Sequence, residues 1–348
     1  MNFTEILTRW YSANKRSLPW RSTKNPYHIW LSEIIMQQTQ VKQGLPYYEA
    51  FVTQFPTVFD LAKAPEESVL KLWQGLGYYS RARNLHASAK FIVNELHGIF
   101  PNTYNDLLKL KGVGDYTASA VASICFDEPC AVVDGNVYRV LSRYFGIDTP
   151  INSTKGIKEF KALASTLIDE QHPGDYNQAI MEFGAIQCKP SNPDCTVCPL
   201  KHSCQALQKG SISELPVKLK KTKVAKKHFN FLVVISDHGQ ILFEKRRSKG
   251  IWQNLYQFPL IETERPIDID AFKSHRQVQS FFKDTDFQYS LYNSEPIVHK
   301  LSHQHLFTKF WIITMPKLPK QGIPISEINR YPTPILISNF IEAFDLSP

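Results

Sequence analysis

Four cysteines crowd one short stretch of this chain. They stand at Cys188, Cys195, Cys198 and Cys204, in the pattern C-x6-C-x2-C-x5-C. The same stretch carries Pro190, Pro193 and Pro199. Proline lacks the amide donor that helix interiors and inner strands need, so this is a loop, and four thiols so closely spaced make a poor hydrophobic core. A loop wrapped around a metal meets both constraints. The spacing departs from the paired C-x2-C pattern of zinc ribbons; a structural zinc site and free cysteines stand as the alternatives. Six cysteines in all, four of them clustered, fit metal ligation in a reducing compartment better than a disulfide framework.

At 348 residues the chain exceeds one compact core, and two or three domains are expected. Its 43% hydrophobic and 21% charged residues are those of a globular protein and exclude a disordered or fibrous chain. The formal net charge of +8 favours encounter with a polyanion such as nucleic acid. Residues 1–20 carry Glu5, Arg9, Lys15 and Arg16 with no uninterrupted apolar run, so no secretory signal is read. No window of about 18 apolar residues occurs, so no membrane span is read either. The expectation is a soluble cytoplasmic protein, associated with the nucleoid if the source is bacterial.

Residues 3–13 read as an amphipathic helix with Phe3, Ile6, Leu7, Trp10 and Tyr11 on one side. A rigid turn follows, Arg16-Ser17-Leu18-Pro19-Trp20-Arg21, with cations around an indole. Residues 27–43 are expected to form a second helix. Helix then follows helix to about residue 185, broken at Pro46, Pro56, Pro65, Gly75-Leu76-Gly77, Gly98, Pro101 and Gly112-Val113-Gly114. Residues 211–228 hold Lys218, Lys220, Lys221, Lys223, Lys226 and Lys227, a like-charge run that reads as a solvated linker or as a phosphate contact. Beyond it the pattern turns to strands at Phe229–Ile235, Ile241–Lys245, Ser290–Tyr292 and Phe307–Thr314. The expected architecture is multidomain: an all-α domain over 1–210, a basic linker over 211–228 and an α+β domain over 229–348.

Two carboxylates attract attention. Glu33 lies in Ile29-Trp30-Leu31-Ser32-Glu33-Ile34-Ile35-Met36, with apolar residues one helical turn away on either side. Desolvation there disfavours its charged form and suits a general acid; the plain alternative is a glutamate reaching out from the edge of a core helix. Asp134, in Val132-Val133-Asp134-Gly135-Asn136-Val137, stands at the start of a helix whose dipole favours its ionised form. Its plain alternative is an ordinary N-cap. Were the two to face one pocket, their environments would push their pKa values apart and separate an acid from a charge stabiliser. Between them, Gly112-Val113-Gly114 permits a tight turn at a helix start, where free amides can hold a phosphate.

In combination these segments resemble the MutY family of adenine DNA glycosylases, in the helix-hairpin-helix, iron–sulfur superfamily related to endonuclease III. The carrying motifs are Trp30-x-x-Glu33-x-x-x-Gln37-Gln38-Thr39, Gly75-Leu76-Gly77-Tyr78-Tyr79, Gly112-Val113-Gly114-x-Tyr116-Thr117-Ala118, Val133-Asp134-Gly135-Asn136-Val137 and the four cysteines. The resemblance covers residues 1–210 and continues more weakly to the end. It implies a helix-hairpin-helix element near 107–118, with Gly112, Val113 and Gly114 on DNA phosphate, and a [4Fe–4S] cluster held by Cys188, Cys195, Cys198 and Cys204. Glu33 would protonate adenine at N7. Asp134 would stabilise the cationic sugar, through a transient covalent bond rather than by inversion. Tyr116 and Asn136 would hold Asp134 and the incoming water. Arg16, Trp20, Arg21 and Gln178 match positions around the everted adenine, while Gln38, with Thr39 beside it, and Tyr78 match residues that enter the base stack. Endonuclease III carries a lysine where this chain has Tyr116, and a phenol forms no Schiff base. The expectation is therefore a monofunctional enzyme without strong lyase activity.

The later residues resemble the Nudix-like module of that family, which reads 8-oxoguanine opposite the adenine. Gly250-Ile251-Trp252 and Tyr256-Gln257-Phe258-Pro259 fit its early turn, whereas 262–285 lacks the acid-rich catalytic helix, so no pyrophosphate hydrolysis is expected. The family's Phe-Ser-His tip stands here as Leu301-Ser302-His303, with Ser302 the contact to the oxidised base. His299, His303 and His305 read as exposed positions alternating on a strand. The implied substrate is double-stranded DNA with A:8-oxoguanine or A:G mispairs, bound by a monomer. The rivals are another mismatch glycosylase on the same scaffold, such as one releasing thymine from T:G, and a non-catalytic DNA-binding protein with a structural metal.

Overall fold

The computed structural model describes residues 2–219, 224–283, 287–344 and 346. Helices run in the order α1 (Phe3–Asn14), α2 (Pro26–Met36), α3 (Val41–Gln54), α4 (Val58–Lys63), α5 (Glu66–Leu72), α6 (Ser80–Leu96), α7 (Tyr104–Leu107), α8 (Asp115–Phe126), α9 (Gly135–Phe145), α10 (Thr154–Leu167), α11 (Pro173–Glu182) and α12 (Gln205–Gln208). Strands follow: β1 (Ala225–Ser236), β2 (Gln240–Ile241), β3 (Glu244–Lys245), β4 (Tyr256–Gln257) and β5 (Leu260–Thr263). Then come α13 (Ile269–Phe272), α14 (Arg276–Phe282), β6 (Gln288–Leu291), β7 (Ile297–Lys300), β8 (Gln304–Met315), β9 (Ile323–Pro324) and α15 (Ile335–Ala343). Two compact units result: residues 2–63 with 84–219, and residues 64–83 with the described residues from 224 on.

The first unit is helical. A reciprocal cap starts α1: the Glu5 amide donates to Asn2 Oδ1 at 2.9 Å and the Asn2 amide to Glu5 Oε2 at 3.0 Å. Helix α2 is buried nearly all round, from Ile29 through Ile35, as a segment interrupted only by Ser32 and Glu33 requires. It packs on α8, a run of small buried residues, Ala118 to Ala122. Helix α11 approaches α8 equally closely: a Cβ on Gly174 would sit 2.7 Å from the Ser123 carbonyl oxygen. From α11 the fully buried Asn177 accepts from the Val132 amide at 3.1 Å and donates to Cys130 O at 2.8 Å and Ser123 Oγ at 2.9 Å. That one amide fixes the extended segment leading to Asp134.

Two expectations about this unit need correction. Residues 27–43 are not one helix. The chain leaves α2 at Gln37, passes Gln38 in left-handed backbone (φ 56°) and restarts α3 at Val41. Consecutive polar residues gave the helix no apolar face to continue. Pro46 is not a breaker either. It lies inside α3, which buried Tyr48 and Phe51 anchor beyond it.

In the second unit the long strands β1 and β8 pair in parallel, Ala225 opposite Gln304 through Ser236 opposite Met315. Among the described residues the sheet order is β6-β8-β1-β2-β9, with β5 on β1 and β7 on β8, while β3 and β4 form a separate pair. Both faces of the two central strands are covered, as their near-continuous apolar runs demand. On one face Trp311 stacks on Phe272 at 3.9 Å; on the other Phe310 stacks on Phe340 at 4.1 Å. Residues 64–83 join this unit through specific bonds. Glu67 accepts from Lys245 Nζ at 3.0 Å and Tyr256 Oη at 2.8 Å, and Tyr79 Oη donates to Thr333 O at 3.0 Å.

The stretch read as one basic linker is divided. Val217 accepts from the Ile151 amide at 3.0 Å, and the Leu219 amide donates to Asn152 Oδ1 at 2.8 Å, both within the first unit. Lys226 and Lys227 belong to β1. Lys220, Lys221 and Lys223 lie outside the described residues. The histidines also need correction: His299 lies near the end of β7 and His305 near the start of β8, with His303 in the turn between them. His299 is half-buried against Trp252, with ring centroids 5.8 Å apart.

Candidate active site

A cavity of about 540 Å³ opens in the first unit, lined among others by Arg16, Trp20, Arg21, Glu33, Thr39, Tyr116, Asp134, Asn136, Gln178 and Glu182. It is roomy for one base. Helix α2 delivers Glu33, the start of α8 delivers Tyr116, the start of α9 delivers Asp134 and Asn136, and α11 delivers Gln178 and Glu182. The carboxyl groups of Glu33 and Asp134 thus share one chamber although a hundred residues part them in sequence.

Burial pushes Glu33 up to about 7, the charge of Asp134 adding to the rise, while a hydrogen bond from Tyr116 and the cation of Arg21 oppose it. Tyr116, buried beside both carboxylates, is raised well above the ordinary phenol value and stays protonated. Its hydroxyl also approaches Met181 Sδ at 3.2 Å. Asp134 caps α9. Its Oδ1 accepts from the amides of Asn136 and Val137, each at 2.8 Å, and its Oδ2 accepts from Asn136 Nδ2 at 2.7 Å. The expectation that its surroundings simply favour the ionised form is corrected: burial raises Asp134 too, and these three bonds only partly offset it. The N-cap role and a place in the cavity are held by the same side chain.

Arg16 and Arg21 converge on Glu182, a residue that the sequence reading passed over. Its carboxylate, 1% exposed, accepts from Arg16 Nε at 2.8 Å and Nη2 at 2.6 Å, and from Arg21 Nη1 at 2.9 Å and Nη2 at 2.8 Å. Those bonds overcome the burial that would raise Glu182 and hold it at about 2. Arg139 was also passed over. Its Nη2 donates to Asn136 Oδ1 at 2.8 Å and Gly184 O at 2.7 Å, and its Nε donates to Cys188 O at 2.7 Å. One turn on, Arg143 donates to Lys189 O at 2.7 Å and Pro190 O at 3.0 Å, and lies 3.5 Å from Cys188 Sγ. The only local signal was the i,i+4 spacing of the two arginines; the proline-rich loop whose carbonyls need donors lies some 45 residues further on.

The four cysteines line one largely apolar cavity with Arg143, Leu200 and Leu207. Among the described residues no three histidine, cysteine or carboxylate side chains are grouped to hold a single ion. Four thiols around a shared space, each near the others' charge, suit a body with four points of attachment. Burial and mutual repulsion push Cys198 up to about 11, so thiolates here call for a cation among them. The residues fit a [4Fe–4S] cluster.

The hairpin glycines behave differently from each other. Gly112 has φ 79°, and a Cβ there would meet Asn84 Cβ at 2.8 Å; Gly114 precedes α8 in open space. Gln38 is exposed and lies outside the cavity's lining. Within the second unit a separate cavity of about 530 Å³ brings Tyr78 together with Trp252, His299, Leu301, Ser302 and His303. The two adjacent tyrosines divide their roles: Tyr79 is buried, whereas Tyr78 is half exposed in left-handed backbone at φ 46°.

Residues 31–164 match the model of the HhH-GPD superfamily base excision DNA repair protein, and residues 230–343 match that of the NUDIX domain. The first unit's fold is shared with solved structures. A thermostable thymine-DNA glycosylase is 31% identical with a TM-score of 0.55, over 60% of this chain and 95% of its own. An endonuclease III in a DNA complex is 22% identical with a TM-score of 0.52, over 60% of this chain and 94% of its own. The class is thus a helix-hairpin-helix base-excision repair protein with a Nudix-like second domain. Over 313 residues the chain is 36% identical to the adenine DNA glycosylase of Buchnera aphidicola subsp. Baizongia pistaciae, covering 89% of this chain and 86% of that one. The chain belongs to the adenine DNA glycosylase family. Among the described residues no helix is long and apolar enough to cross a membrane.

Proposed function

We propose that this protein removes adenine mispaired with 8-oxoguanine, and with guanine, from double-stranded DNA by hydrolysing the N-glycosidic bond, and that it does not go on to cleave the strand. The observation that carries the reading is the pairing of a carboxyl raised to about 7 with a second, hydrogen-bonded carboxyl in one base-sized chamber. Glu33, protonated near neutral pH, donates to N7 of the everted adenine and makes the base a better leaving group. Asp134, aimed by Asn136 and the α9 amides, stabilises the cationic sugar through a transient bond to its anomeric carbon. Tyr116 and Asn136 hold Asp134 and position the water. Arg16, Trp20, Arg21 and Gln178 enclose the base. With a phenol at Tyr116 there is no amine to attack the sugar, which supports base release without lyase chemistry.

Gly112, Val113 and Gly114 take a phosphate at the start of α8. Gln38 and Tyr78 enter the stack, Thr39 supports Gln38, and Ser302 meets the oxidised base. Cys188, Cys195, Cys198 and Cys204 hold the [4Fe–4S] cluster, whose role is structural: it sets a basic loop, with Lys189, Lys201 and His202, against the backbone. The first unit is assigned as the glycosylase and the second, which takes in residues 64–83, as the 8-oxoguanine reader. The protein acts as a monomer in the cytoplasm, at the nucleoid if the source is bacterial. The test is single-turnover release from A:8-oxoguanine, A:G and T:G duplexes, with and without alkali. Adenine release with strand breaks only after alkali is expected; faster thymine release would replace this reading with the thymine-excising one that the 31% identical structure favours.

A further inference from the structure

Gln178 lines the base chamber, and its amide carries a donor and an acceptor that a half-turn exchanges. Tyr11, on α1 and 3% exposed, donates its hydroxyl hydrogen to Gln178 Oε1 at 3.3 Å. No described residue accepts from Gln178 Nε2, and Tyr11 itself does not line the chamber. The phenol ring is held on its faces by cations. The Arg21 guanidinium lies 5.5 Å from its centre and Lys15 Nζ 5.3 Å. Arg21 is fixed in turn by Glu182 and by the Arg16 carbonyl, to which it donates at 3.0 Å. Burial keeps the phenol protonated. A flipped amide would leave its buried hydrogen without this acceptor, an arrangement disfavoured in the interior.

We propose that Tyr11 is a positioning residue that fixes which end of the Gln178 amide faces the base, and so sets discrimination between adenine and hypoxanthine. This rests on the proposed function, in which Gln178 encloses the everted base, and adds that its amide faces the base's Watson–Crick edge. With Oε1 turned toward the Tyr11 hydroxyl, Nε2 is the end that faces the base, and it donates. Adenine offers an acceptor at N1; hypoxanthine offers an N1–H, so two donors would oppose one another. Without the Tyr11 hydroxyl the amide turns freely and its carbonyl accepts from hypoxanthine.

The experiment measures single-turnover release of adenine and of hypoxanthine, each opposite the same guanine, by the intact protein. Tyr11→Phe is expected to lower the adenine-to-hypoxanthine rate ratio by about tenfold, the weight of one net hydrogen bond. Gln178→Leu is expected to lower it as well, and adding Tyr11→Phe to that variant should change nothing further. Gln178→Glu leaves Tyr11 untouched and presents acceptors only; it should favour hypoxanthine even if Tyr11→Phe does not fold. A ratio unmoved by Tyr11→Phe but moved by Gln178→Leu overturns the role of Tyr11 and leaves the proposed function standing. A ratio unmoved by Gln178→Leu or Gln178→Glu removes Gln178 from the base, and this inference with it.

Discussion

At the scale of single residues, the chamber depends on one carboxyl that keeps its proton and another that keeps its bonds. Since Glu33 is raised to about 7 by burial, it is the protonated acid below that pH and loses its proton above it. Base release should accordingly fall as pH rises through 7, and fall again in acid as Asp134, itself raised by burial, takes up a proton, in single-turnover pH profiles. Glu33→Gln should keep duplex affinity and lose about 10²- to 10⁴-fold in release rate, the usual contribution of a positioned acid. Glu182 works in the opposite sense. Its folded value of about 2 lies below the ordinary 4.5, so its contribution is complete above about pH 4.5 and is lost as pH falls towards 2. Urea unfolding of wild type and Glu182→Gln should differ by about 3 kcal/mol at neutral pH and converge over that acid window. Glu33 was legible in the sequence because its neighbours one turn away are apolar. Glu182 was not, because its meaning comes from Arg16 and Arg21, some 160 residues earlier in the chain.

At the scale of elements, the cysteine spacing and the glycine hairpin announced themselves, since each is a local pattern with a local physical cause. The break between α2 and α3 did not. The polar run Gln37-Gln38-Thr39 offers no apolar face, but it holds neither glycine nor proline to mark a break, and Gln38 takes left-handed backbone all the same. Arg139 and Arg143 on helix α9 are 8% and 2% exposed because the cysteine loop lies over them, which nothing near them in the sequence announces. Removing Arg143 should therefore cost about 3 kcal/mol or more in unfolding experiments, by stripping several buried carbonyls of their donor. In the hairpin, Gly112→Ala meets both a left-handed φ and the Asn84 side chain. It should destabilise by about 1–3 kcal/mol in thermal melts and weaken duplex binding in titrations, whereas Gly114→Ala, in open space, should be milder on stability.

At the scale of the whole molecule, the length foretold more than one domain, and the change of pattern read at Phe229 fell four residues inside the first strand, which begins at Ala225. What no linear reading contains is that residues 64–83 belong with the later unit. Their anchors, such as Glu67 with Lys245 and Tyr79 with Thr333, join positions more than 170 residues apart. The same grouping places Tyr78 and Ser302 on one cavity. Ser302→Ala should reduce preference for A:8-oxoguanine over A:G by a few-fold, with release from A:G nearly unchanged, in paired excision assays.

The excursion of residues 64–83 also means that the polypeptide passes between the two bodies three times: after Lys63, after Arg83 and between residues 219 and 224. A protease nick in that last passage would not yield two self-sufficient pieces. The amino-terminal fragment would still carry α5 and Tyr79, whose bonds to Lys245, Tyr256 and Thr333 complete the other fragment's fold. The nicked halves should migrate as one particle on a sizing column until denaturant parts them, and separately expressed halves should reassemble by complementation.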